Sequence, residues 1–131
     1  MTAEPTEILS SRVLLRPQDL ERSIAFYQDV LGLAVYREFG EPPWRGVVFF
    51  LGGGFLEVSG HSDTPACPNL QLWLQVRDVD ATFERLREAG VTVLRPPATE
   101  PWGLREAWVA DPDGVRIALI EVPEDHPLRR R

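Results

Sequence analysis

Residues 19–32 read DLERSIAFYQDVLG, a pattern typical of a short amphipathic helix. Asp19 is of the residue types that cap helix N-termini, and Gly32 is of the type that commonly follows the last turn. Between them, four apolar side chains recur at helical spacing and so line one face, namely Leu20, Ile24, Tyr27 and Leu31. Residues 78–90 read DVDATFERLREAG and repeat this arrangement. The sequence therefore predicts two related units in tandem.

Predicted strands surround each helix in the same order. Short apolar or alternating runs bounded by Gly and Pro place four strands in the first unit, at 8–16, 33–38, 47–51 and 55–59. The second unit has them at 70–76, 91–94, 104–110 and 115–122. Each unit thus runs β-α-β-β-β, with a Pro-rich loop at 40–44 or 95–103. Because neither unit is large enough to close a core alone, we expect the two to pack together.

These elements predict an α+β fold, in which two tandem βαβββ modules form a curved mixed sheet with helices on its outer face. The whole chain is expected to be one domain. Its parts are module one at 8–60, a linker at 61–68, module two at 69–122 and a tail at 123–131.

Composition excludes several classes of protein. The net charge of -6, from 14 basic and 20 acidic residues, argues against a nucleic-acid surface, and we interpret the arginines at 129–131 as a solvated end. The single cysteine, Cys67, provides neither an internal disulfide nor a thiolate metal cage. No apolar run approaches the roughly 20 residues that span a bilayer, and the polar start at 1–7 is unlike a signal peptide. We expect a cytoplasmic protein that contacts no membrane.

The predicted strand 70–76 indicates which face holds a ligand. Its leucines alternate with Gln71, Trp73 and Gln75. The face with Leu70, Leu72, Leu74 and Val76 is expected to pack on the helices. The opposite face combines aromatic area with polar anchors, as binding pockets do. An interface between protein chains is the alternative for such an exposed aromatic face.

The same alternation assigns residues of the other strands to this groove. It groups Arg12 with Ser10 and Leu14, Glu57 with Phe55 and Ser59, and Arg116 with Ala118 and Ile120. It also groups Leu104, Glu106 and Trp108, while Trp44 and Trp102 occupy equivalent Pro-rich loops and could close over a planar ligand. With Phe49 included, the candidate ligand-binding residues are Arg12, Trp44, Phe49, Phe55, Glu57, Gln71, Trp73, Gln75, Trp102, Glu106, Trp108 and Arg116.

Several motifs resemble the vicinal oxygen chelate superfamily, which contains glyoxalases, bleomycin-resistance proteins and extradiol dioxygenases. They are DLERSIAFY at 19–27 followed by VLGL at 30–33, and ADPDG at 110–114 leading into IALIE at 117–121. The resemblance covers about 8–122 and implies the tandem fold. It does not imply one activity, because the family includes lyases, isomerases, oxygenases, thiol transferases and drug-binding proteins without catalysis.

The resemblance also implies four groove-facing positions where the family's enzymes hold a divalent metal, usually with two His and two Glu. These positions fall on Arg12, Glu57, Gln71 and Ala118, of which only Glu57 matches. The two histidines, His61 and His126, lie in the linker and the tail. We therefore expect no metal and no other cofactor, and we expect Arg12 to pair with Glu57, because a buried charge needs a partner.

These observations favour a non-catalytic protein, closest to the antibiotic-binding members, that sequesters a small aromatic or amphipathic molecule such as an antibiotic. The alternative is a glyoxalase-type, metal-dependent lyase, isomerase or dioxygenase with an atypical ligand set, or a metal-free enzyme with Glu57 as general base. Beside Arg12, however, Glu57 should have a lowered pKa and be a weak base. An accessory module without a small ligand is a third possibility. We expect a homodimer, whose groove two chains could share.

Overall fold

The computed structural model describes residue 2 and residues 4–129, so the predicted solvated end at 129–131 lies largely outside the described residues. The first module contains strand β1 (Val13–Leu15), helix α1 (Leu20–Ala25), which continues as a π-helical segment (Phe26–Val30), and strands β2 (Val35–Phe39), β3 (Gly46–Leu51) and β4 (Gly54–Ser59). The second contains β5 (Gln71–Gln75), α2 (Val79–Glu88), β6 (Thr92–Thr99), β7 (Arg105–Ala110) and β8 (Arg116–Glu121), followed by a short 3-10 helix (Pro127–Arg129).

The strands form two four-stranded sheets with the same topology. The first sheet has the order β1-β4-β3-β2 and the second β5-β8-β7-β6. In each, the first strand of the module runs parallel to the last, and the other neighbours are antiparallel. The predicted α+β class with two βαβββ modules is confirmed.

Side-chain caps begin both helices at the predicted residues. Asp19 Oδ1 accepts a hydrogen bond from the backbone N–H of Arg22 at 3.1 Å, and Asp78 Oδ1 accepts one from Ala81 at 3.0 Å. Each satisfies a backbone donor that has no partner within its helix. Among the described residues, no helix is long and apolar enough to cross a membrane.

One hydrophobic core joins the modules. It collects the inner face of each sheet and the apolar face of each helix; its members include Ile24, Tyr27, Val47, Phe49, Leu56, Val58, Leu72, Val79, Phe83, Leu86, Ala107, Val109, Ile117 and Leu119. Because side chains alternate along a strand, the remaining residues lie on the opposite side of each sheet, away from the helices. We call this helix-free side, on which the ligand groove was predicted, the outer face of each sheet.

A buried hydrogen bond links the modules at the edge of this core. The hydroxyl of Tyr27, which is fully buried, donates to Asp111 Oδ2 at 2.8 Å. Asp111 Oδ1 accepts from the backbone N–H groups of Asp113 and Val115, which shapes the turn before β8. Burial raises the pKa of the Asp111 carboxyl and that of the Tyr27 hydroxyl. This hydrogen bond joins the motif DLERSIAFY of the first module, which contains Tyr27, to the motif ADPDG of the second, which contains Asp111.

Three predictions about the strands are wrong. The strand predicted at 8–16 is ordered as a strand only at Val13–Leu15, because Ile8 and Leu9 find no core and lie exposed. Leu70 is likewise exposed and precedes β5. Strand β6 extends as far as Thr99, into the segment 95–103 that was predicted as a Pro-rich loop. It lies at the edge of the second sheet and is bulged, where prolines cost few ladder hydrogen bonds.

Candidate ligand-binding faces

A paired carboxylate dominates one end of the first sheet's outer face. Arg12 Nη1 donates to Glu57 Oε1 at 2.9 Å, which confirms the predicted ion pair. Ser59 Oγ donates to Glu57 Oε2 at 2.6 Å and itself accepts from Arg16 Nη1. Burial opposes ionisation of Glu57, but the hydrogen bonds from Ser59 and Arg12 outweigh it and hold the pKa below its ordinary value. Glu57 is therefore ionised at neutral pH and is a weak base.

An aromatic cluster occupies the other end of this face. Tyr36, Phe50 and Phe55 have ring centroids 4.8 to 5.8 Å apart, and Tyr36 and Phe50 are about half exposed. Phe55 was predicted to be here, whereas Tyr36 and Phe50 were missed. Phe50 pairs directly with Phe55 across the β3–β4 hairpin, and such a pair follows from the two-glycine turn. Tyr36 lies at a bulge in β2, which strict alternation does not reveal.

Strand β5 carries the exposed face that its alternation predicts. Trp73 is 51% exposed between exposed Gln71 and Gln75, while Leu72 is buried in the core. The parallel register with β8 aligns Gln71 with Arg116 and Trp73 with Ala118. Ala118 and Ile120 are covered on this face by a small second cluster made with Leu104, Trp108 and Val122.

A buried carboxylate anchors two tryptophans on the second sheet's outer face. Glu106 is only 8% exposed, and its carboxylate oxygens accept hydrogen bonds from Trp108 Nε1 at 3.1 Å and Trp102 Nε1 at 3.0 Å. The Arg95 guanidinium lies 3.9 Å from the centroid of the Trp108 ring and pairs with Glu100. Arg95 and Glu100 were not among the predicted site residues, since β6 was expected to end before Arg95.

Two predicted site residues lie elsewhere. Phe49 is fully buried in the shared core, where its ring neighbours Tyr27; the alternation of β3 points Phe49 inward and Phe50 outward. Trp44 is 81% exposed and, with Pro42 and Pro43, borders a shallow cavity beside the start of α1. The two loops are not equivalent in this structure, because Trp102 is fixed to a sheet's outer face by Glu106 and Trp44 is not. That either ring closes over a planar ligand stays a prediction.

The two outer faces are separate within one protomer. Since both inner faces belong to one core, the outer faces point away from it. Among the described residues, no hydrogen bond, ion pair or ring contact joins the Arg12–Glu57 pair to Trp102, Glu106 or Trp108. Trp73 and Gln75 also border a cavity of about 800 Å³ between β5 and the β3–β4 turn. The Arg12–Glu57 pair and the Trp102–Glu106–Trp108 group therefore lie at two separate places on one chain.

The residues at the four positions where the resemblance implies metal ligands do not fit a divalent cation. The Arg12 guanidinium donates to Glu57 Oε1, the oxygen that a metal ion would need. Its permanent positive charge also repels a metal ion. Gln71 and Ala118 lie on the other sheet, and Ala118 has no donor atom. Another acidic group, Asp78, Asp80 and Glu121, has carboxylates within 4.8 Å. These carboxylates cap α2 or bind Arg105 instead.

Comparison with known proteins defines the family. The model of the Glyoxalase/Bleomycin resistance protein/Dioxygenase superfamily matches residues 10–119. The chain belongs to this superfamily. Its members share a fold and differ in function, so the site residues must decide what this member does.

Individual relatives include both an enzyme and a binding protein. A lactoylglutathione lyase of Haemophilus influenzae is 32% identical over 127 residues, covering 82% of this chain and 88% of the relative. The crystal structure of TnmS3, an antibiotic binding protein from Streptomyces sp. CB03234, superposes with a TM-score of 0.74 at 27% identity, covering 92% of this chain and 100% of TnmS3. A superfamily member from Sphaerobacter thermophilus matches with a TM-score of 0.72 at 27% identity, covering 88% and 98%.

Proposed function

We propose that this chain binds and sequesters a small planar aromatic or amphipathic molecule, such as an antibiotic, without catalysis. The observation that carries the proposal is the Arg12–Glu57 ion pair, which involves two of the four positions where the resemblance implies metal ligands. The likeness to TnmS3, an antibiotic binding protein, supports it. We place this function in the cytoplasm, with neither nucleic acid nor membrane as partner.

Exposed and partly buried aromatic side chains supply the binding surface in this proposal. The first sheet offers Tyr36, Phe50 and Phe55, and the second offers Trp73, Trp102 and Trp108. Burying about 300 Å² of apolar ligand surface gives roughly 7 kcal/mol, and each stacked ring adds about 0.5–1.5 kcal/mol. Association costs several kcal/mol. The balance is consistent with micromolar or tighter binding.

A homodimer completes the site in this proposal. The first sheet's outer face carries Arg12 and Arg16 around Glu57, and the second carries Glu106 without a cation on its carboxylate among the described residues. The second face also carries Arg116 and the Arg95–Glu100 pair, so the dimer is proposed on the aromatic half-sites and not on charge. A second copy brings the first sheet of one protomer over the second sheet of the other, and a two-fold axis forms two such sites.

The test uses the tryptophans as reporters. Quenching of intrinsic fluorescence by a panel of planar aromatic natural products should identify ligands, and calorimetry should give their affinities. Trp73→Ala removes an exposed stacking surface, and Trp108→Ala removes the ring that contacts Arg95 and Glu106. Each should weaken binding about tenfold or more. Trp44→Ala is the matched control, because Trp44 lies beside α1. Unchanged affinity in both site variants would refute the assignment.

A second candidate function is a lyase, favoured by the 32% identity to the lactoylglutathione lyase of Haemophilus influenzae. Elemental analysis of protein purified without chelator, together with a lactoylglutathione lyase assay in added divalent metal, separates the two. Sequestration predicts substoichiometric metal and no turnover. A stoichiometric metal that supports turnover would replace the first proposal.

A further inference from the structure

Glu106 is a buried carboxylate whose side-chain oxygens receive only neutral donors. It is 8% exposed, and its two hydrogen bonds come from the indole nitrogens of Trp102 and Trp108. In the part of the chain that the structure describes, no ion pair includes this carboxylate; the nearby Arg95 donates instead to the backbone oxygen of Glu106. An anion removed from water without a cationic partner is costly to fold. The site thus retains unneutralised negative charge behind two aromatic rings.

Arg95 shows how these rings receive a cation. Its guanidinium lies 3.9 Å from the centroid of the Trp108 ring, as cation–π contacts require. Its charge is neutralised by Glu100. The Trp102 ring, 58% exposed, has no such cation over it among the described residues. One indole bound to Glu106 is therefore occupied by a cation and the other is open.

The open ring is held in place before any ligand arrives. Trp102 is fixed through its indole by Glu106 and through its backbone oxygen by His126 Nε2 at 3.1 Å. His126 Nδ1 accepts from the backbone N–H of Leu128, so Nε2 carries the proton and donates. The backbone N–H of Gly103 donates a hydrogen bond to the backbone oxygen of Glu100, which closes the loop that carries Trp102. A ring positioned in this way does not lose conformational freedom on binding.

We propose that Trp102 and Glu106 select a ligand that carries a positive charge, such as a protonated amine or quaternary ammonium group attached to a planar aromatic system. The cation stacks on the open face of Trp102, and the Glu106 carboxylate compensates its charge through the indole. The net charge of -6 further attracts cations to the protein. The inference rests on the proposed binding function and specifies the ligand's charge.

The experiment compares three probes of similar size and different charge at pH 7: aminoacridine as the cation, hydroxymethylanthracene as the neutral molecule and anthracene carboxylate as the anion. Affinities come from fluorescence quenching and calorimetry. The full-length chain should bind the cation about tenfold tighter than the neutral probe and the anion most weakly. Equal affinity for cation and neutral probe would overturn the charge selection and leave aromatic binding intact.

Two variants locate the selectivity. Glu106→Gln removes the charge and keeps the side-chain shape, so the affinity for aminoacridine should fall about tenfold, to that of the neutral probe, which changes little. Trp102→Leu should also abolish the preference, and it decides the question if circular dichroism shows that Glu106→Gln fails to fold. Glu88→Gln, on the exposed end of α2, controls for net charge. A preference that survives in Trp102→Leu refutes the inference, and failure of all three probes refutes the binding function itself.

Discussion

Arg12 and Glu57 determine the electrostatics of the first sheet's outer face. The Arg12 guanidinium donates to Glu57 Oε1 at 2.9 Å and supplies the positive charge of the pair. The hydrogen bonds from Ser59 and Arg12 lower the pKa of Glu57 and keep its carboxylate ionised. Arg16 donates to Ser59 and also lies near Glu57. The pair is therefore a fixed ion pair on this face, and its carboxylate is poorly suited to accept a proton in catalysis.

The pH dependence of stability should report the Glu57 ion pair. The pKa of Glu57 in the folded chain lies below 4.5, its ordinary value, so its stabilising contribution is present above that pH and is lost as the pH falls through the folded pKa. Glu57→Gln should lower the free energy of unfolding by about 1 kcal/mol at pH 7. In urea denaturation at pH 3 the two proteins should differ less. A difference of the same size at both pH values would contradict the ion-pair account.

The buried hydrogen bond between Tyr27 and Asp111 should stabilise the contact between the modules. Tyr27→Phe removes the donor and leaves Asp111 Oδ2 without it, at a cost of about 1–3 kcal/mol. Tyr36→Phe is the control, because the Tyr36 side chain is half exposed. The free energy of unfolding of this variant should change by less than about 0.5 kcal/mol. Urea denaturation of both variants measures the difference. Equal effects would show that the hydrogen bond contributes nothing.

At the level of elements, alternation predicts a face wherever the strand's register is fixed by a clear pattern. In β5 the leucines and the Gln-Trp-Gln set separate cleanly, and the structure follows. In β3 four consecutive apolar residues, Val47 to Phe50, carry no such pattern, and Phe49 was assigned to the wrong side. Strands β2 and β6 contain bulges, where an extra residue interrupts simple alternation. Tyr36 and Arg95 could therefore not be placed from sequence.

The register of β3 can be tested by two adjacent substitutions of the same type. Phe49→Ala opens a cavity in the shared core and should cost about 3–5 kcal/mol. Phe50→Ala removes a half-exposed ring from the outer face and should cost about 1 kcal/mol or less, while weakening ligand binding. Chemical denaturation and ligand titration of each variant give both quantities. A larger stability loss for Phe50→Ala would reverse the assigned faces.

On the scale of the whole molecule, the shared core explains why the two candidate half-sites of one chain do not face each other. Apolar residues of both helices and of both inner sheet faces share one core, and this arrangement leaves the aromatic cluster on one side and the Trp102–Glu106–Trp108 group on another. The sequence repeat predicted that the halves would pack against each other. It did not predict which faces would meet, since both faces of each sheet carry apolar residues. The two half-sites are therefore expected to meet across a dimer interface.

Subunit complementation distinguishes a site shared between protomers from a site within one. One variant combines Phe50→Ala with Phe55→Ala and so loses the first sheet's half-site; the other combines Trp73→Ala with Trp108→Ala and loses the second. Each homodimer should bind the ligand weakly. In a heterodimer isolated with two affinity tags, one of the two shared sites joins both defective halves and the other joins both intact halves. Calorimetry should then find wild-type affinity at one ligand per dimer, because each intact half faces its intact partner. If every site lay within a single chain, the heterodimer would contain no intact site, and its binding would stay as weak as that of either parent.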